Sequence, residues 1–345
     1  MTQPTETFDS YDGANAIRED LSDIIYNISP METPFMMMVG RGTRDQSKHE
    51  WQIDELSAAD ADNKHVQGDD STASPGTFFP TPTTTARVFN YNQISRKTVM
   101  ISGTAEVVDK AGRKSELAYQ LAKRAKEMKR DMETILIAGR ATAGGAPQAK
   151  TPATDTVPGQ LAPVETWFTN DADQPQNLST GATPGAGTTA TGTDPNWMPD
   201  DDAQRTDGTQ RAFAEADLKE VIRECWQEGG DPSVIMVGPF NKQALSAFSG
   251  NTTRFDRSED MRLVTAVDVY VSDFGEHRVV PNRFSRDRTA LVLTPRMWSV
   301  DYLRGFRQTP LAKTGDAEKR MLLAEYTLRA NNPYASGPVA DLTTS

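Results

Sequence analysis

Residues 113–138 constrain the fold more than any other stretch of the chain. Leu117, Leu121, Met128, Met132 and Ile135 recur at steps of four, seven, four and three, which places them on one stripe of an α-helix. Ala118, Ala122 and Ala125 widen the stripe, and Lys123, Lys126 and Arg130 fall on the opposite face. Lys123 and Glu127 stand at i,i+4 spacing, an ion pair worth only tenths of a kcal/mol. Gly139 supplies a C-terminal stop. At 1.5 Å per residue such a helix runs roughly 39 Å, whereas the mean globular helix has only ~11–12 residues. A chain built on it needs a long surface to lay the helix along.

The segments around this helix differ sharply in character. In residues 1–44, Ile17, Leu21, Ile24, Ile25 and Ile28 predict a short amphipathic helix over 14–28. Pro30 and Pro34 break it, and Phe35-Met36-Met37-Met38-Val39 follows as adaptable apolar packing material. Residues 45–101 read as one long β excursion, with Trp51 and Ile53 on one face of the outgoing arm. Phe89, Tyr91, Val99 and Ile101 share a face of the return arm, 87–101. Between the arms, 57–85 is rich in Asp, Thr, Ser and Pro and reads as a turn-rich tip. An isolated two-stranded hairpin is marginally stable at best, so this one needs support from elsewhere.

After the helix, 141–210 turns polar and Gly/Thr-rich, with Val164, Trp167 and Phe168 as an apolar island read as a short strand. The stretch 179–209 reads as a surface loop. From 211 an α/β pattern begins. Phe213, Leu218, Val221, Ile222, Cys225 and Trp226 mark the apolar stripe of a helix ending at Gly229-Gly230. Strands are expected at 233–237, 267–271 and 279–280, and a short helix at 241–248. Residues 288–330 are strand-rich, with Leu322, Ala324, Tyr326 and Leu328 alternating against Leu323, Glu325, Thr327 and Arg329.

Charge and chemistry narrow the function. The net charge is −11, which argues against a broad grip on DNA, because phosphate affinity comes from Lys and Arg releasing counterions. The charge is unevenly spread: residues 1–75 hold fifteen acids and five bases, while 113–137 hold seven bases and four acids. Acidic parts of one copy can therefore meet basic parts of another. Cys225 is the only cysteine, so no intramolecular disulfide forms, and on its apolar stripe it reads as a buried structural thiol. His49, His65 and His277 are scattered and read as surface or interface residues. Asp200-Asp201-Asp202 reads as a solvated acidic turn, since calcium loops alternate their ligands. No phosphate-cradling loop and no nucleophile elbow is present, and neither a catalytic residue, a metal nor a cofactor is expected. No apolar run approaches the ~18–20 residues of a membrane span, and the polar, acidic N-terminus is unlike a secretory signal.

Several stretches carry a resemblance. They are Asp20-Leu21-Ser22-Asp23-Ile24-Ile25-Tyr26-Asn27-Ile28-Ser29-Pro30 with Glu32-Thr33-Pro34-Phe35; Lys48-His49-Glu50-Trp51; Ile101-Ser102-Gly103-Thr104 with Gly112-Arg113; and Leu311 to Ala317 with Glu325-Tyr326-Thr327-Leu328. In this order the chain resembles the major capsid proteins of tailed bacteriophages. Their architecture, the Johnson fold, is shared with the herpesvirus shell floor.

The resemblance implies an α+β fold in defined parts. Residues 1–44 are the N-terminal arm and 45–100 an extended β-hairpin loop lying over the adjacent subunit. Residues 101–140 with 285–345 make a peripheral domain around the spine helix, and 141–284 an axial domain. It implies a homo-oligomer of hexamers and pentamers that encloses double-stranded DNA without sequence-specific binding, assembled in the host cytoplasm and carried in the virion, with no membrane partner. A scaffolding protein would be a separate chain, and a decoration protein and portal are further partners. The arm, hairpin and spine expose apolar residues that one compact body would not cover, which makes Trp51, Ile53, Phe89, Tyr91, Lys123, Lys126 and Arg130 the candidate inter-subunit contacts. Another virion subunit, such as a tail-tube or portal-associated protein, is the alternative. An enzyme ranks third, because no convergent polar site is visible.

Overall fold

The computed structural model describes residues 32–54, 85–108, 110, 112–139, 147–168, 198, 199, 201, 207–248 and 268–344, together with 56, 59, 61, 64 and 67. The expected helix at 14–28, most of the 57–85 tip and most of the 179–209 loop lie outside them.

The described chain begins with a single-turn helix, α1 (Pro34–Met38), opened by a proline at its first position, where no N–H is missed. Strand β1 (Gly40–Thr43) follows. Next comes the hairpin root, β2 (Lys48–Ile53) paired antiparallel with β3 (Ala86–Tyr91). The return arm does not continue as one strand. Asn92 interrupts it: its N–H donates to the Ser47 carbonyl and its Nδ2 to the Gln46 carbonyl. β4 (Gln93–Ser102) then leaves for a different sheet. The expected common face is therefore split. Val99 is buried and Ile101 half-buried on β4, whereas on β3 it is Val88 and Asn90 that turn inward, not Phe89 and Tyr91.

After the short helix α2 (Gly103–Val107) comes the long helix, α3 (Glu116–Ile137). Its 22 residues span roughly 33 Å. It starts later than expected because Ser115 caps it, accepting from the Ala118 N–H. It stops at Gly139, whose φ of +67° is the left-handed value that glycine tolerates. Burial is confined to the second half: Met128, Met132, Glu133, Leu136 and Ile137 are buried, while Leu117 and Leu121 are only half-buried. The expected Lys123–Glu127 pair is replaced, since Glu127 takes Arg124.

The island at Val164–Trp167 is a fully buried 3-10 turn, not a strand. Beyond it come α4 (Glu215–Gln227), β5 (Val234–Val237), α5 (Pro239–Ser246), β6 (Val269–Ser272), β7 (Gly275–Pro281) and β8 (Ala290–Leu293). The chain closes through β9 (Trp298–Pro310), β10 (Ala317–Ala330) and β11 (Gly337–Val339). On α4, Trp226 is exposed instead of lying on the buried stripe with Cys225.

Two larger sheets organise the body. A four-stranded sheet runs β1-β9-β10-β4, and a five-stranded sheet runs β11-β8-β5-β7-β6. The expected boundary at 284/285 does not follow sheet membership. β8 pairs antiparallel with β5, and β11 with β8, so two late segments complete the sheet that 234–281 begins. β5 and β8 are buried on both faces, and a strand covered on both sides reads as an unbroken apolar run. One face joins the core of α1, the second half of α3, residues 161–168 and the long β9–β10 hairpin. The other packs under α4 and α5. No described helix is long and apolar enough to cross a membrane.

Candidate assembly surfaces

The arm is tied to the body by a buried carboxylate. Glu133, on the inner side of α3, accepts from the Phe35 N–H at 2.7 Å, the Met36 N–H at 3.0 Å and Asn282 Nδ2 at 2.8 Å. A carboxylate at a helix start satisfies orphan donors there. Burial pushes the Glu133 carboxyl up, and the three donors offset part of that rise. Phe35, Met36 and Val39 sink into the core beside it, each contributing about 1.5–3 kcal/mol. The apolar run is thus packing material for the subunit's own core, with the half-buried Met38 packed against it and only Met37 exposed.

The hairpin root is held by a second buried acid. Asp301, on β9, receives Arg44 Nε at 2.9 Å and Ser299 Oγ at 3.0 Å. His49 Nε2 and Arg329 Nε lie 3.2 Å and 3.3 Å from it. Burial pulls its carboxyl upward, but the bonds from His49, Arg44 and Ser299 and the charge of Arg329 outweigh it and hold it at about 2. Across the parallel β1–β9 pair, a Cβ on Gly42 would stand 2.4 Å from Asp301 Oδ1, so a side chain there would displace the buried carboxylate. His49 is consequently an interior residue of the subunit, not the surface or interface one expected. Asn90 adds a third tie, donating to the Ala162 and Leu328 carbonyls and accepting from the Ala162 N–H.

The third anchor is Arg286, buried between Glu165 at 2.7 Å and both oxygens of Asp207 at 2.6 Å. These two charges and its bonds raise its value despite burial. Such a pair costs about 3–5 kcal/mol when one member is removed. Glu133, Asp301 and Arg286 were all missed in sequence. Nothing in local spacing marks a charged residue most of whose partners stand between 28 and 257 residues away.

The candidate contacts sort accordingly. Trp51 faces its own body: Nε1 donates to the Ala330 carbonyl at 3.0 Å, and its ring meets Trp167 at 5.8 Å. Ile53 packs on the same core. Phe89 lies under Lys48 Nζ at 3.7 Å and Lys150 Nζ at 3.9 Å. Tyr91 donates to Asp201 Oδ2 at 2.8 Å, and Lys150 Nζ stands 3.1 Å from Asp201 Oδ1. Asp201 is therefore an internal partner and not part of a solvated turn, while Asp200 and Asp202 lie outside the described residues. Lys123 and Lys126 are exposed and make no ion pair among the described residues. Arg130 departs from them, because its half-buried guanidinium lies 5.7 Å from the Phe284 ring.

No cluster of three His, Cys, Asp or Glu suited to a metal occurs among the described residues. A cavity of about 100 Å³ lies between Gly103, Glu106, Leu117, Lys313 and Asp316, below the ~300–1,000 Å³ of small-molecule sites. Cys225 is fully buried, and burial pushes its thiol up. His277 is also buried, on β7. Its Nδ1 donates to the Pro232 carbonyl at 2.6 Å, and its Nε2 accepts from Ser272 Oγ at 2.6 Å.

An arm latched to a long helix, a hairpin rooted on the body and two sheets sharing one core is an arrangement with relatives. The family profile described as SU10 major capsid protein matches residues 2–343. The chain belongs to that family. As an SU10-type major capsid protein it is a subunit of a phage head shell and a component of the virion. It is 30% identical to the major capsid protein of Escherichia phage Phieco32, over 98% of this chain and 97% of that one. Its fold matches a chain of the Cyanophage A-1(L) capsid asymmetric unit with a TM-score of 0.65 at 12% identity, covering 98% of this chain and 100% of that one. A chain from Mycobacterium phage Adephagia matches with a TM-score of 0.60 at 12% identity, covering 98% and 99%. The α+β, Johnson-type capsid architecture expected from the sequence is thus established.

Proposed function

We propose that copies of this chain form six- and five-membered capsomers that close into a head shell around packaged double-stranded DNA, without catalytic activity of their own. In this reading the hairpin beyond Ile53 and Ala86 lies over the neighbouring subunit's spine helix. Its root contacts, Trp51, Ile53, Phe89 and Tyr91, hold it at the correct angle. Closed symmetric assembly hides surface that one subunit leaves open. Assembly in the host cytoplasm, and a scaffold, portal or decoration protein as separate partners, belong to the same reading.

One observation carries the contact: the first half of α3 has no fully buried residue and presents Lys123 and Lys126 to solvent, while residues 1–75 hold fifteen acids against five bases. Opposite charges on different patches suit a head-to-tail ring. The test is Lys123→Glu with Lys126→Glu, expressed under conditions where the parent chain yields shells visible by negative stain. The expected result is a fall in shell yield and dissociation at lower salt. Unchanged yield and salt tolerance would remove these lysines from assembly, and tubes in place of shells would overturn the capsomer reading itself.

A further inference from the structure

The four-stranded sheet ends in an unfinished edge. β4 is its outermost strand, ten residues long, and among the described residues only β10 pairs with it. Gln148 Nε2 and the Leu161 N–H donate to Gln93 Oε1 and cover the start of the strand. Beyond Gln93, alternate residues of β4 turn their N–H and C=O away from β10. A long open edge invites pairing and is normally covered or blunted. The sheet face beside it is open too. Lys97 turns toward α3 and meets Asp131 at 2.6 Å, so Ile94, Arg96, Thr98 and Met100 turn the other way. Ile94 and Met100 are 54% and 66% exposed. The charge along this edge is positive. Arg96 and Arg307 stand on either side of Leu323, both exposed and without an ion pair among the described residues. Lys319 lies across from Met100. The nearby acids are engaged, Asp131 by Lys97, Glu325 by Arg304 and Glu318 by Arg320. Asp316 and Glu106 lie past the far end of β4, beside Gly103 and with Lys313.

We infer that residues 5–12, which lie outside the described residues, pair as a fifth strand along this edge of their own subunit. Thr5 to Asp12 stand between Pro4 and Gly13, boundaries typical of a short strand. They carry Glu6, Asp9 and Asp12 with no base, together with Phe8 and Tyr11, which suits a positive edge with exposed apolar side chains. The path is short. Glu133 of α3 holds Phe35 of the arm, and Asp131, two positions earlier, holds Lys97 of β4. Two positions turn roughly 200° around a helix ~10–12 Å across, so arm and edge lie on opposite sides of one rod. The 21 residues from Gly13 to Thr33 span ~30 Å even when wholly helical, enough to pass around it. That route brings Asp12 to the Arg96 end of β4 and leaves Thr5 near Ser102, so the pairing is antiparallel. With Asp12 across from Arg96, Ser10 meets Thr98 and Phe8 covers Met100, an acid on the free arginine and an aromatic ring on the exposed thioether. One subunit thereby closes an edge through which two would otherwise pair, and the contact exists whether or not capsomers form.

The test is a disulfide between Phe8→Cys and Met100→Cys in the full chain, oxidised as dilute, unassembled subunit. Cys225 is buried and does not compete. Residues across a strand pair stand within the ~4.4–6.8 Å Cα separation that a disulfide needs. We expect a monomer-sized product with an internal disulfide, formed at least about tenfold faster than in a control that pairs Phe8→Cys with Val271→Cys on exposed β6. We also expect removal of residues 2–13 to speed amide exchange in 94–100 at least about tenfold while α3 exchanges as in the parent. Equal rates for the two cysteine pairs, or unchanged exchange in 94–100 after the deletion, overturns the inference. A disulfide that forms only between two chains also overturns it and gives the edge to a second copy. Both measurements use single subunits, so neither result bears on the capsomer reading.

Discussion

Replacing Asp301 with asparagine tests how the hairpin root is held. Asp301 is fully buried, yet its carboxyl sits at about 2 where an unperturbed one sits at 3.8. That difference corresponds to about 2.5 kcal/mol of folding stability at neutral pH. The sign follows from proton binding. The folded value is depressed, so the unfolded chain binds the proton first. The contribution is complete above 3.8 and is lost as pH falls toward 2. Asparagine keeps the shape and removes the charge. Arg44 and Arg329, 31% and 29% exposed, remain partly solvated, so the loss stays near the low end of the ~3–5 kcal/mol for breaking a buried pair. Urea denaturation of dilute, unassembled subunit at pH 7 should show Asp301→Asn less stable by about 2–3 kcal/mol. The gap should shrink below about 1 kcal/mol near pH 2.5. A variant as stable as the parent at pH 7, or a gap that does not change with pH, would refute the charge argument.

Two further outcomes are expected. Burial holds His277 below the ordinary histidine value, more than its bond to Pro232 and the charge of Asp231 restore. The unfolded state therefore takes up the proton first below about 6.5, and stability falls as pH drops through that point. His277→Gln should reduce the loss measured between pH 7.5 and 5.5, and an identical loss in both proteins would contradict this. Glu133→Gln turns an amide N–H toward the Phe35 or Met36 N–H, costing about 1–3 kcal/mol. Limited proteolysis should then cut within 37–45 faster than in the parent, and an unchanged cutting rate would mean that Glu133 does not latch the arm.

The elements legible in the sequence were those with a period. The spacing of Met128, Met132 and Ile135 located the long helix, and the alternation of Leu322, Ala324, Tyr326 and Leu328 located β10. The order of segments pointed to the capsid architecture. What spacing does not show is which half of a stripe is covered. Leu117 and Met128 look alike in sequence, but only Met128 lies over the shared core. Nor does it show that a single Asn can redirect a strand, since the partners of Asn92 lie some 45 residues earlier in the chain. The charged anchors were illegible for the same reason. A lone Glu in an amphipathic helix reads as surface until Phe35, Met36 and Asn282 are placed around it.

These anchors change how assembly must be understood. If the arm and hairpin were apolar limbs sheltered only by siblings, an isolated subunit would expose them and aggregate. Instead Phe35, Trp51 and Val88 are covered by the subunit's own core, and Glu133, Asp301 and Asn90 fix their directions before any neighbour arrives. The large apolar side chains left open include Met37 of the arm and Leu56 of the hairpin, Ile94 and Met100 of β4, Val107 and Val108 around α2, Trp226, Val269, Val271 and Phe274, and Phe306 and Leu311 around the β9–β10 hairpin. These patches are separate and small, so each pairwise contact is weak on its own. A ring that engages several at once gains from effective concentration. Under the capsomer proposal, a subunit of this design is expected to stay folded and single when dilute, and sedimentation of unassembled subunit checks this: aggregation of the dilute chain would contradict it.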